Sequence, residues 1–185
     1  MTTLDLLKDR NRAFSSGFAG GDLPLLPRLG TLILTCIDAR VDPAPVLGLE
    51  LGDAVVFRNN GGRVTQAFLD EVAALAALVA RRTGEAEAGF DIVLMQHTKC
   101  GAQAFADPEF RADLKERIGV DVSGNAIGDQ QDDLFADIAQ LRDATNLPGA
   151  ITVAALLYDV DEGKVREVAP ARTLKDLRAG EVRDR

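Results

Sequence analysis

The sequence predicts a single-domain α/β fold, with a mostly parallel central sheet flanked by helices and a C-terminal edge strand. Short, wholly apolar runs recur along the chain, as expected of strands that are buried on both faces of a parallel sheet. They alternate with segments whose apolar residues recur every three or four positions, which is typical of helices. The length of 185 residues suits one domain over 1–185, and no stretch of the chain has the composition of a linker or a repeat.

The first half of the chain predicts two helices and two strands. In order, they are a helix at 3–18, a strand at 31–36, a strand at 54–57 and a helix at 64–82. Asp42-Pro43 and Pro45 indicate a loop between the two strands, and Arg58-Asn-Asn-Gly-Gly62 indicates the end of the second. The helix at 64–82 has the clearest periodicity, and its apolar stripe is predicted to pack in the core.

The second half predicts three further strands and two helices. In order, they are a strand at 90–95, helices at 103–118 and 130–144, a strand at 150–157 and an edge strand at 164–168. Asp161-Glu-Gly163 is typical of a tight turn before the edge strand, and the tail from Ala171 onwards is charged. The predicted core therefore spans about 28–168.

Composition excludes several classes of function. The chain has 21 basic and 29 acidic residues, a net charge of -8, which argues against a nucleic-acid partner. No apolar run approaches the roughly 18 residues of a membrane-spanning helix, so we expect no membrane partner. Charged residues occupy the N-terminus where a secretory signal would be apolar, which predicts a cytoplasmic protein.

The chain contains few side chains that bind soft metals. There are two cysteines, Cys36 and Cys100, and one histidine, His97. A reducing compartment disfavours a disulfide between the cysteines, and a thiol redox role is weaker still because there is no C-x-x-C motif. Cys36 ends the first predicted strand, and His97 and Cys100 directly follow the third, so all three would meet at one sheet edge if those strands are neighbours. Two thiolates and one imidazole are ligands that Zn²⁺ favours, and three protein ligands leave one position open, as in catalytic sites.

A carboxylate and a guanidinium follow the first cysteine in the segment Cys36-Ile-Asp38-Ala-Arg40. The open metal position would hold water or, in a closed state, Asp38 as a fourth ligand. Pairing with both donors of Arg40 would instead hold the carboxylate away from the metal as a hydrogen-bond acceptor. By itself, Asp38 is also compatible with the N-cap of a helix. Gly61 and Gly62 are compatible with a simple turn, or their amides could form part of an anion pocket.

Taken together, these motifs resemble one family. The C-x-D-x-R motif, the Gly-Gly loop, the long helix and the H-x-x-C-G motif are similar to the β-class carbonic anhydrases, most of all to the short bacterial type, over about 28–168. Further similar runs are Asp42-Pro43, Gly48-Leu-Glu-Leu-Gly-Asp53 and Tyr158-Asp-Val. The resemblance implies one Zn²⁺ per chain on Cys36, His97 and Cys100, with Asp38 and Arg40 as a catalytic dyad. It implies that a zinc-bound hydroxide interconverts carbon dioxide and bicarbonate.

The resemblance also implies an assembly and leaves alternatives open. It implies a homodimer or homotetramer in which the N-terminal helix packs on a partner subunit. The chain departs from the family pattern at Asn60, where Ala is common, at Lys99, which makes the rim of the site more basic, and in lacking a Gln upstream of Cys36. Hydrolysis of carbonyl sulfide or carbon disulfide on the same zinc site is therefore an alternative. A dimeric binding module with a structural zinc is another. With His97 on the metal no histidine remains as a proton shuttle, so buffer or surface carboxylates would carry the proton.

Overall fold

The computed structural model describes residues 1–85, 87 and 89–180. Within these residues, five strands form one sheet in the order β2-β1-β3-β4-β5. The strands are β1 (Thr31–Cys36), β2 (Ala54–Asn59), β3 (Asp91–His97), β4 (Thr152–Asp159) and β5 (Lys164–Thr173). The first four pair in parallel, and β5 pairs antiparallel with β4. The predicted fold class is confirmed, including the C-terminal edge strand. β1 and β3 are neighbours, which meets the condition for the three candidate ligands to lie at one sheet edge.

Six α-helices occur in the described part of the chain. They are α1 (Thr3–Ser16), α2 (Pro43–Leu47), α3 (Gln66–Thr83), α4 (Pro108–Ile118), α5 (Gln130–Asp143) and α6 (Leu174–Arg178). Side-chain oxygens cap the N-termini of all six, as a Thr2–Asp5 capping box does for α1. No helix among the described residues is long and apolar enough to cross a membrane.

The main core lies between one face of the sheet and helices α3 and α5. Leu34 of β1 and Leu94 of β3 are fully buried there, in contact with the apolar face of α3. Phe68 and Val72 of that face are also fully buried, so the predicted role of the stripe in core packing is confirmed. A smaller cluster forms at the carboxyl end of the sheet around Cys36 and Cys100. The core therefore supports the strand ends from which the candidate ligands project.

Two predicted strands end too early. β2 continues through Arg58 and Asn59, because these residues pair with Thr35 and Cys36 of β1 and the glycines that end the strand come only afterwards. β3 continues through His97, which pairs with Tyr158 of β4, so His97 is the last residue of the strand rather than a loop residue after it.

Three other predicted boundaries are wrong. The loop predicted at Asp42-Pro43 contains α2, because Asp42 caps a helix that has Pro at its first position. The helix predicted over 103–118 is divided, since a 3₁₀ turn over Gly101–Ala106 gives way to α4 at Pro108. β5 continues to Thr173 along the full length of β4, and α6 follows where only a charged tail is predicted. Positions 181–185 of that tail lie outside the described residues.

Candidate metal centre

The two predicted ligand segments meet at the carboxyl edge of the sheet. Cys36 ends β1 and His97 ends β3, and these strands are parallel neighbours in the sheet. Cys100 comes three residues after His97, and all three side chains are buried. Their ligand atoms lie within 4.8 Å of one another, and the two sulfurs are 3.8 Å apart. The structure thus brings together the three residues that the sequence singles out.

The chain between His97 and Cys100 reverses in a tight turn. Lys99 has a φ of 53°, a left-handed conformation that is uncommon for a residue with a Cβ atom. This conformation lets Cys100 return toward the end of β1 instead of continuing away from the sheet. The turn also directs the Lys99 carbonyl to Arg40, whose Nη2 donates to it at 3.1 Å.

The His97 ring is held so that one nitrogen is free. Nδ1 lies 2.9 Å from the Thr98 carbonyl oxygen, and because a carbonyl can only accept, the ring proton belongs on Nδ1. Nε2 is buried and has no hydrogen-bond partner among the described residues. Buried nitrogens in proteins are rarely left unpaired, so a lone pair directed among two sulfurs indicates a cation site.

The pKa values of the two thiols are shifted in opposite directions. The contact with Cys100 lowers the pKa of Cys36 to about 4, and the amides of Asp38 and Gly61 also donate to its sulfur. The same contact raises the pKa of Cys100, with burial adding to the effect. The pair therefore loses its first proton easily and retains the second. A divalent cation would replace that second proton as the positive charge between the sulfurs.

These donors fit zinc. Zn²⁺ is bound by thiolate and imidazole in tetrahedral geometry, with Zn–S distances of about 2.3 Å. Two sulfurs at that distance from a tetrahedral centre lie about 3.8 Å apart, which agrees with the observed separation. The orphaned Nε2 supplies a third ligand, so the trio leaves one tetrahedral position for a further ligand.

Asp38 and Arg40 form a hydrogen-bonded ion pair beside these three residues. Arg40 donates to the Asp38 carboxylate from its main-chain nitrogen at 2.9 Å, from Nε at 3.0 Å and from Nη2 at 2.6 Å. The main-chain contact also makes Asp38 the cap of a short 3₁₀ turn, so the same carboxylate both caps the turn and pairs with the Arg40 side chain. The hydrogen bonds from Arg40 hold the pKa of Asp38 well below its usual range. Asp38 is therefore an ionised acceptor throughout the neutral pH range.

Comparison with known proteins identifies the family. A family model described as carbonic anhydrase matches residues 31–122. Beta-carbonic anhydrase 1 of Mycobacterium tuberculosis is 31% identical over 172 residues, which are 92% of this chain and 100% of that relative. The chain belongs to the β-carbonic anhydrase family. The crystal structure of carbonic anhydrase from Streptococcus mutans superposes on it with a TM-score of 0.74 at 35% identity, covering 91% of this chain and 98% of that one.

A second activity occurs among the relatives of this β-carbonic anhydrase. A carbon disulfide hydrolase of Saccharolobus solfataricus is 27% identical over 172 residues, covering 78% of this chain and 79% of that relative. Another, from Acidianus, is 36% identical over 77 residues.

Arg58 is a contact residue of the β-carbonic anhydrase site that sequence reasoning missed. Its Nε donates to the Cys36 carbonyl at 3.0 Å and its Nη2 to the Asp38 carbonyl at 2.7 Å. The two hydrogen bonds hold the main chain on both sides of Ile37, and they thereby fix the position of Cys36 relative to Asp38. Arg58 begins the Arg-Asn-Asn-Gly-Gly run, whose glycines the sequence predicts as a turn or an anion pocket, but no role of the arginine is predicted.

The two glycines of that run are packed against the metal edge. Gly62 has a φ of 62°, and a Cβ atom there would come within 2.8 Å of the Cys36 main-chain nitrogen. Gly61 has a φ of 78° and donates its amide to the Cys36 sulfur. The loop is therefore more than a turn before α3, because it supports a candidate metal ligand at close range.

A buried ionic network lies behind the glycine loop and was also missed. Arg63 donates from Nε to Asp137 of α5 at 2.9 Å and from Nη1 to Asp133 at 2.8 Å. Burial raises the pKa of Asp137 to about 6, against the opposing effect of Arg63. Gln96, which precedes His97, lies 3.4 Å from the same carboxylate. Arg63 and Asp137 are 74 positions apart, so no local pattern could reveal their pairing.

The wall of the site next to the sulfurs is apolar. Val41, Ala102 and Ile127 are buried and form a cluster with the two cysteines, against which Phe105 packs. Asn60 is exposed on the loop and does not enter this cluster. An apolar wall beside a charged centre suits a small, nonpolar substrate molecule.

Proposed function

We propose that this chain catalyses the reversible hydration of carbon dioxide to bicarbonate and a proton, at one zinc ion per chain held by Cys36, His97 and Cys100. The observation that carries the proposal is the orphaned, buried Nε2 of His97 beside two sulfurs 3.8 Å apart, with an ionised carboxylate at their edge. Membership of the β-carbonic anhydrase family supports the same reaction.

Zinc supplies one piece of chemistry when it is bound: it lowers the pKa of a water ligand so that a hydroxide nucleophile is available near neutral pH. The protein supplies the side chains that would hold the ion and the contacts that position them. Cys36 and Cys100 would balance the charge of the ion, and the Thr98 carbonyl fixes the ring of His97. Arg58 holds the main chain that connects Cys36 to Asp38.

Asp38 and Arg40 orient the reacting water. Arg40 donates hydrogen bonds to both oxygens of the carboxylate, which keeps Asp38 ionised. An ionised carboxylate can accept a hydrogen bond but cannot donate one. Accepting a hydrogen bond from the nucleophile would direct its lone pair to the carbon atom of a substrate resting on the apolar wall of Val41, Ala102 and Ile127. In a closed state, release of Arg40 would let Asp38 take the fourth metal position instead.

The proton must leave by another route, because His97 is the only histidine and is assigned to the metal. We infer that buffer, or carboxylates at the rim, accept it. A rate of hydration that rises with buffer concentration at fixed pH and ionic strength is the expected result.

The primary test is carbon dioxide hydration by zinc-loaded protein at pH 8, followed by stopped flow. Cys100→Ser is expected to lose both bound zinc and activity, since a hydroxyl is a poor replacement for a thiolate ligand. Metal-free wild type, before and after zinc is restored, is the matched control. Uncatalysed rates from protein with full zinc occupancy would exclude the proposed reaction.

A second candidate is hydrolysis of carbon disulfide or carbonyl sulfide on the same site. It is favoured by the two carbon disulfide hydrolases among the relatives. Measuring sulfide release and carbon dioxide hydration on one zinc-loaded preparation separates the two. Sulfide release that is faster than hydration would select the second candidate, whereas hydration without sulfide would eliminate it.

We also propose that the chain acts as one domain per subunit in a homodimer. The support is helix α1, which has no buried residue and exposes the apolar side chains Leu4, Leu7 and Phe14. Such a helix is expected to pack on a second copy. Sedimentation of the wild type and of Leu7→Asp tests this, with a dimer expected for the first and monomer for the second. A homotetramer is the alternative outcome.

We assign the chain to the cytoplasm for a chemical reason. Its two candidate ligand thiols must stay reduced and unpaired to bind zinc, and the cytoplasm maintains thiols in that state.

A further inference from the structure

Thr98 connects His97 to the neighbouring strand. Its carbonyl oxygen lies 2.9 Å from His97 Nδ1 and is the acceptor that leaves Nε2 free. A carbonyl can perform this function only if its own peptide is held in place. Thr98 lies beyond the last residue of β3, so further contacts must hold its peptide.

Two contacts with β4 fix it. The Thr98 main-chain nitrogen donates to the Tyr158 carbonyl at 2.9 Å, which extends the β3–β4 pairing one step past His97. The Thr98 hydroxyl accepts from the Val160 main-chain nitrogen at 3.1 Å. Any residue except proline could make the first contact, but only a side chain with an acceptor at this position could make the second.

We propose that Thr98 is a positioning residue of the metal centre. Its hydroxyl fixes the start of the Thr98–Cys100 turn to the end of β4, and its carbonyl then holds the His97 ring in the orientation that the metal requires. The inference rests on the proposed function, because it takes His97 as a ligand. Partners of a metal-bound histidine commonly change metal affinity by about 10- to 100-fold when they are lost.

The chain offers a matched pair of substitutions. Thr98→Val keeps the branched shape but removes the acceptor, so the Val160 N–H is left without its partner. Thr98→Ser keeps the acceptor but removes the methyl group. We expect Thr98→Val to weaken zinc binding by about 10-fold or more, and Thr98→Ser to remain within about threefold of wild type.

Zinc affinity is measured on folded, reduced, metal-free protein by competition with a chromophoric chelator, independently of catalysis. Thermal unfolding of the same metal-free samples provides the second readout. A purely structural role for Thr98 would lower the midpoint of unfolding of Thr98→Val and leave its zinc affinity unchanged, which would overturn the proposal. If Thr98→Val does not fold, Thr98→Ala takes its place in the comparison with Thr98→Ser.

The remaining outcomes separate this inference from the proposed function. Equal losses of affinity in the valine and serine variants would also overturn the role of the hydroxyl, because only one of them lacks it. Wild type that binds no zinc would reject the proposed metal centre itself. Wild type that binds zinc, beside a Thr98→Val variant of equal affinity, would reject only the positioning role.

Discussion

Two arginine–carboxylate pairs near the metal edge differ in the direction in which the pKa of the carboxyl group is shifted. At the metal edge, Asp38 receives three hydrogen bonds from Arg40, its side chain is 19% exposed, and its pKa falls well below the usual range. Behind the glycine loop, Asp137 pairs with Arg63 but is completely buried, and its pKa rises to about 6. An arginine partner is present in both places.

The difference shows that burial decides which effect dominates. Desolvation of Asp137 outweighs the attraction of Arg63, whereas contact with solvent lets the hydrogen bonds of Arg40 determine the ionisation of Asp38. The first environment suits a permanent acceptor beside a reaction. The second suits a structural pair that joins the glycine loop to α5.

The largest effect on hydration activity is expected from Asp38→Asn. The amide cannot remain an ionised acceptor, so kcat/KM for carbon dioxide hydration should fall by about 100-fold or more, with zinc content unchanged. Asp42→Asn is the control, because Asp42 is exposed and caps α2, a position that Asn also fills well. Activity near wild type in Asp38→Asn would contradict the assigned role.

Arg63→Met should produce the largest loss of stability. Removing one partner of a buried pair leaves Asp137 uncompensated, and we expect the free energy of unfolding in urea to fall by about 3–5 kcal/mol. The double variant Arg63→Met/Asp137→Leu should recover part of this loss, because the fully buried Asp137 charge is gone and only the partly exposed Asp133 lacks its arginine partner. A double variant no more stable than the single one would show that the pair itself, and not its charge balance, holds the loop.

The two pairs also differ in how far the sequence predicts them. Asp38 and Arg40 are two positions apart beside Cys36, so a local motif contains both partners and indicates their pairing. Asp137 reaches Arg63 only because α5 packs behind the glycine loop, which depends on the tertiary fold.

The difference between local and tertiary contacts also explains why some predicted strand boundaries are wrong. Buried strands and the α3 stripe follow from local hydrophobic patterns, whereas β3 includes His97 and β5 includes Thr173 only because β4 provides pairing partners at those positions. The start of α2 was different. Asp42 followed by Pro43 is a local signal for a helix N-terminus, so the sequence alone contains the information that corrects the predicted loop.

Asp137→Asn should remove a pH dependence of stability. A carboxyl whose pKa is raised on folding binds its proton more tightly in the folded state, so its stabilising effect is present at about pH 4 and lost as the pH rises through about 6. The wild type should thus lose up to about 3 kcal/mol from this group across that window, and the variant should not. Asp38 acts with the opposite sign and only at lower pH, since its pKa is lowered.

Metal-free, reduced protein is the appropriate sample for this measurement, because zinc affinity also depends on pH. Gln96 and Gln140 donate to Asp137 and do not titrate, while Arg63 and Asp133 are the charged groups that face it. Parallel stability–pH curves for the variant and the wild type between pH 4 and pH 7 would contradict the assignment of this dependence to Asp137.

The smallest effect is expected from Asp161→Asn, which breaks a third pair at the rim of the site. Asp161 pairs with Lys99, and the two side chains are 61% and 65% exposed, so solvent screens their attraction. We expect unfolding free energy to change by less than about 1 kcal/mol and hydration activity to stay within about twofold of wild type. The pair nevertheless connects the turn between the candidate ligands to the β4–β5 turn. A clear loss of zinc affinity in Asp161→Asn would therefore mean that position relative to the metal, rather than burial, determines which charged pairs matter in this molecule.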